Sequence, residues 1–126
     1  MTRNDFKKPN TRLAVRAALV AFACLAPLAA SAHEPPRIVE VAPGVHLFMT
    51  APYAELGLDG NSIAVITGEG VLVFDSNGTP AAAEAVLAGI RKLTDKPVRY
   101  VVNSHWHWDH WYGTEVYRKA FPDVTV

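Results

Sequence analysis

Two apolar, β-branched runs, Ser62 to Thr67 and Val71 to Phe74, are separated only by Gly68-Glu69-Gly70. Three residues are too few for a crossover, so the two runs can pair only as an antiparallel hairpin. Their nearly unbroken apolar character predicts burial on both faces. A second hairpin is predicted upstream, where Ile38 to Val41 and Val45 to Met49 flank Ala42-Pro43-Gly44, a proline and glycine suited to a tight turn. Residues 50–60, with Pro52, Gly57 and Gly60 and no steady period, read as a loop.

Beyond Phe74 the period changes from two to that of a helix. Thr79-Pro80 supplies an N-cap followed by proline at the first helical position. Ala83, Val86, Leu87, Ile90 and Leu93 then recur at helical spacing and stop before Pro97. Val98 to Val102 is the next predicted strand. Trp111 to Phe121 carries a helix-compatible pattern of Val116, Tyr117 and Ala120 ended by Pro122, and Val124 to Val126 looks like a strand that has only begun. Hairpins followed by helix, strand and helix define an α/β chain. With half its 126 residues hydrophobic and 19% charged, it is a globular one with room for a single domain.

The first 32 residues stand apart. Lys7, Lys8, Arg12 and Arg16 precede an apolar stretch from Ala17 to Ala29, and Ala30-Ser31-Ala32 has the small-x-small form of a cleavage site. Residues 1–32 are therefore expected to be a signal peptide and residues 33–126 the domain it exports to the periplasm or beyond. A spanning helix needs about 20 apolar residues, so no membrane attachment is expected after cleavage. A lipid-modified Cys24 is a weaker reading, since Ala21 stands where lipoprotein signals carry leucine.

Cleavage would leave 7 Lys plus Arg against 11 Asp plus Glu, a formal charge of −4. That is not the basic balance of a nucleic-acid-binding domain. It would also remove the single cysteine, so a metal would have to be held by histidine and carboxylate.

Those residue types converge at His105-Trp106-His107-Trp108-Asp109-His110. His105 and His107, two apart on an extended segment, project to one side and can share a metal. Asp109 and His110 follow at a strand-to-helix turn, where Asp109 could also serve as a helix N-cap. The chain's three tryptophans, Trp106, Trp108 and Trp111, lie within this hexapeptide or directly after it; Trp106 and Trp108, opposite the histidines, are expected to pack beneath the motif. His46 alternates with Val45 and Leu47 and reads as an ordinary strand residue.

The hexapeptide, preceded by Val101-Val102-Asn103-Ser104, resembles the signature of the metallo-β-lactamase superfamily. The order of Asn61 to Thr67, the glycine turn, Val71 to Asp75, a helix and Lys96-Pro97-Val98 is similar to that family's first half. The resemblance covers residues 38–126 and implies the N-terminal half of an αββα sandwich with metals at the sheet edge. It further implies that His105 and His107 bind a first zinc, that Asp109 and His110 bind a second, and that Asp109 is the catalytic group orienting the attacking water. Asp75 matches a family aspartate near the metals and is expected to support them, although a turn or capping role is equally open.

A complete domain of this kind would hold two zinc ions and hydrolyse an ester, thioester or amide (lactam) bond of a small molecule. The family's third histidine for the first metal, a bridging aspartate and a final histidine normally come from later segments, so the chain by itself is expected to be inactive. Two other readings remain: an iron-dependent relative akin to thiol dioxygenases, and a non-catalytic fragment that binds metal weakly. Substrate and oligomeric state are not encoded legibly.

Overall fold

The computed structural model describes residues 34–53 and 57–126. The predicted signal peptide lies outside these residues. Five strands form one sheet in the order β1-β2-β3-β4-β5: β1 (Arg37–Ala42), β2 (Val45–Met49), β3 (Ser62–Ile66), β4 (Val71–Phe74) and β5 (Val98–Val102). The first four make an antiparallel meander. The β4 to β5 step is parallel and crosses over through helix α1 (Pro80–Leu93), as a parallel pair requires. Two short helices follow, α2 (Trp108–Trp111) and α3 (Thr114–Ala120). No described helix is long and apolar enough to cross a membrane.

Both predicted hairpins form. At the first turn Gly44 adopts φ 73°, the left-handed region open to a residue without Cβ. Helix α1 begins where the N-cap rule places it: the Thr79 side chain accepts from the Ala82 N–H at 3.1 Å, and Pro80 follows. The helix predicted over Trp111 to Phe121 is instead interrupted at Tyr112-Gly113. The incipient terminal strand is realised as a parallel bridge between Tyr100 and Thr125.

Register divides the sheet into two faces, with irregularities between Glu40 and Ala42 and between Val71 and Leu72. On one face, Phe48, Ala64, Val71, Val73, Val98 and Val101 are buried against Ala83, Val86, Leu87 and Ile90 of α1 and Tyr117 of α3. At about 25 cal/mol per Å2 of apolar surface removed from water, this cluster is the main source of stability. Burial leaves the Tyr117 hydroxyl without a hydrogen-bond partner and pushes its ionisation up, because a phenolate there would be desolvated.

The opposite face is just as apolar. Val39, Leu47, Ile63, Phe74 and Val102 lie in register as one row across all five strands, and Val45, Val65, Leu72 and Tyr100 form the next. No described element covers these rows: Tyr100 is 52% and Phe74 38% exposed. The expectation that β3 and β4 are buried on both faces is thus met on one face only. A sheet with helices on one side and an uncovered apolar side is half of an αββα sandwich.

Candidate metal centre

The C-terminal ends of β4 and β5 lie side by side, and the site grows from the two segments that leave them. The first is Asp75-Ser76-Asn77-Gly78. Asp75 and Asn77 both take positive φ, 60° and 66°, a left-handed conformation that aspartate and asparagine tolerate better than other side chains. This folds the segment into a hub. Asn77, fully buried, accepts from the Ser62 hydroxyl at 2.9 Å and donates to Thr50 Oγ1 at 3.0 Å and to the Gly60 carbonyl. The Gly78 N–H donates to Asp59 at 2.9 Å. Thr50, Asp59 and Gly60 are thereby pinned to the end of the sheet.

The second segment carries the histidines, and it departs from its predicted form. Strand β5 ends at Val102, and residues 104–106 are bends rather than extended chain. Asp109 is not an N-cap: His107 holds that position without a side-chain capping bond, and Asp109 sits in the first turn of α2. Close approach fixes the segment's seat. A Cβ on Gly60 would collide with the Asp109 carbonyl, and one on Gly78 with the Trp108 indole. Two backbone bonds complete the docking, from Ser76 N–H to the His110 carbonyl at 2.8 Å and from Gly113 N–H to the Asn77 carbonyl at 3.0 Å.

The four predicted site residues do come together. Nε2 of His105 and Nδ1 of His107 face each other at 2.8 Å, and the His105 and His110 rings lie 4.2 Å apart. Nε2 of His110 is 3.3 Å from Asp109 Oδ2. Asp75, its side chain only 8% exposed, joins them from beneath. Its Oδ1 accepts the Ser104 backbone N–H at 2.7 Å, and its Oδ2 meets the Ser104 hydroxyl at 2.8 Å and His110 Nδ1 at 2.7 Å.

Trp106 corrects the expectation of packing beneath the motif. It is 79% exposed, edges against His107, and its carbonyl accepts the Trp111 indole N–H at 2.8 Å. Trp108 does pack, over Gly78, but remains 40% exposed. His46 lies within β2 with Nε2 4.0 Å from Glu40, away from the motif. Reading by residue type missed Ser104 and Asn77. The available signal was the run Asp75-Ser76-Asn77-Gly78 directly after an apolar strand, a composition that favours tight, left-handed turns.

The donors fit zinc in kind, imidazole nitrogen and carboxylate oxygen. They do not form a finished cage: among the described residues no group of three or more His, Cys, Asp or Glu side chains is arranged to hold a cation. Two nitrogens bound to one tetrahedral zinc at 2.0–2.1 Å stand roughly 3.3 Å apart, so His105 and His107 would have to open by about half an ångström.

A profile of the metallo-β-lactamase superfamily matches residues 56–126, and the chain belongs to that superfamily. A linear primary-alkylsulfatase of a Pseudomonas species is 35% identical over 49 residues, 39% of this chain and 9% of that protein. Among solved structures, a metallo-β-lactamase of Erythrobacter litoralis with β-mercaptoethanol in its active site is 28% identical with a TM-score of 0.56, over 66% of this chain and 37% of that one. The Pseudomonas aeruginosa metallo-β-lactamase FIM-1 in its mono-zinc form is 18% identical with a TM-score of 0.61, over 74% and 41%; that likeness concerns the fold. The chain spans less than half the length of these relatives.

Proposed function

We propose that the whole protein to which this chain contributes is an exported zinc-dependent hydrolase. The observation that carries this reading is the convergence of His105, His107, Asp109 and His110 at the end of the sheet, with Asp75 beneath them. His105 and His107 would hold a first zinc, Asp109 and His110 a second, and Asp75 would orient their support. Bound zinc supplies Lewis acidity, bringing the pKa of a water near neutrality and polarising the bond it attacks. The Asp109 carboxylate would accept a hydrogen bond from that water, aim its lone pair and pass a proton to the leaving group. The substrate is a small molecule with an ester, thioester or amide (lactam) bond.

A sulfate ester is a second reading, favoured by the 35% identical segment shared with the alkylsulfatase. Assaying the whole protein on a lactam, a carboxyl ester and an alkyl sulfate separates the two.

The metal assignment predicts that His105→Ala combined with His107→Ala removes one zinc per chain by elemental analysis and nearly all hydrolysis. Full zinc in the double variant would sink it. Export predicts a mature N-terminus at or near His33; N-terminal sequencing that finds Met1 retained on the exported protein would refute cleavage.

A further inference from the structure

Asp75 touches His110 directly, but its reach extends to His105 through one hydroxyl. Resting on the zinc reading above, we propose that Ser104 is a positioning residue that relays the acceptor character of Asp75 to His105. One buried carboxylate then fixes Nε2 as the lone-pair nitrogen of both rings.

The direction of each hydrogen bond follows from what each group owns. An aspartate carboxylate only accepts, so the Ser104 hydroxyl, 2.8 Å from Oδ2, must spend its single proton there. Toward Nδ1 of His105, also 2.8 Å away, the same oxygen can then only accept. In a neutral imidazole one nitrogen donates and the other accepts; Nδ1 of His105 therefore carries the hydrogen and Nε2 the lone pair. His110 reaches the same state without an intermediary, its Nδ1 donating to Asp75 Oδ2 at 2.7 Å. Two further contacts bear on the rings: Nε2 of His105 accepts from Nδ1 of His107 at 2.8 Å, and Nε2 of His110 lies 3.3 Å from Asp109 Oδ2, longer than the 2.7 Å bond at its Nδ1, so the shorter bond decides where the proton of a neutral His110 sits.

Reversing the relay would set the hydroxyl and carboxylate oxygens 2.8 Å apart with no proton between them. The Ser104 backbone N–H, donating to Oδ1 at 2.7 Å, holds the serine where only the forward direction is satisfied. Ring nitrogens that face a metal are commonly selected in this way, by the hydrogen bond at the other nitrogen.

The test is long-range proton–nitrogen NMR of the imidazoles in chelator-treated protein at about pH 8, above the ordinary histidine range. The wild type should show His105 and His110 as Nδ1–H tautomers. Ser104→Ala should release His105 to the Nε2–H form while His110 keeps Nδ1–H, and Ser104→Thr, which retains the hydroxyl, should behave as wild type. In a parallel titration Ser104→Ala should weaken zinc binding roughly 10–100-fold, the usual consequence of losing a partner behind a ligand. Finding His105 as Nε2–H in the wild type, unchanged in Ser104→Ala, or switching only together with His110 would overturn the relay. Tautomers that obey it in a protein that binds no zinc would reject the zinc reading and leave the relay standing.

Discussion

The two faces of the sheet are equally apolar in sequence and opposite in circumstance. Val73 and Val101 point into helices α1 and α3 and are buried; Phe74 and Val102, one residue further along the same strands, point to the other side and are 38% and 40% exposed. Strand periodicity assigns a residue to a face. It does not say what covers that face. A contiguous apolar row such as Val39-Leu47-Ile63-Phe74-Val102 is of the kind that marks an interaction surface, and its counterpart in an αββα sandwich is a second sheet.

Truncation at matched positions breaks the comparison open. Phe48→Ala, on the covered face, should cost about 3–5 kcal/mol, the range for a buried phenylalanine. Phe74→Ala should cost under about 1 kcal/mol in this chain and should reduce its aggregation; denaturant melts of both variants, with light scattering, decide the point. In the whole protein the Phe74 variant should move toward the Phe48 value if a second sheet covers it. Equal losses at both positions in the 126-residue chain would mean that the second face is already buried.

Tyr117→Phe probes the covered face more finely and should change stability by only a few tenths of a kcal/mol at pH 7, since its hydroxyl has no partner to lose. Burial raises the folded pKa of this phenol above its ordinary value of about 10, so the native state keeps a proton that the unfolded chain releases. The wild type therefore loses stability as pH climbs above about 10, and Tyr117→Phe should lose less. Identical pH profiles of the urea midpoint would show the phenol to be accessible.

Local chemistry made much of this legible. The Gly68-Glu69-Gly70 linker, the Ala42-Pro43-Gly44 turn and the Thr79-Pro80 start of α1 are short-range signals, and each element appeared where its residues required. The motif residues lie close to one another at the end of the sheet. What stayed hidden depended on the approach of distant segments. The break at Tyr112-Gly113 arises where Gly113 packs against the Ser76 backbone. Trp106 is turned outward by a bend that the Trp111 indole clamps, and Ser104 acquires its role only because Asp75 lies 29 positions earlier in the chain.

That separation also sets an order in time. Strands β1 to β4 each pair with their neighbour in the chain, contacts of the local kind that form rapidly. They are all present once the nascent polypeptide has reached residue 74. The histidine cluster needs Asp75 to meet residues 104 and 110, after the crossover helix has brought β5 alongside β4. In folding, the meander is thus available as a template before the histidine cluster can assemble, and a chain cut before residue 105 would keep every pairing partner of the meander while lacking all three motif histidines.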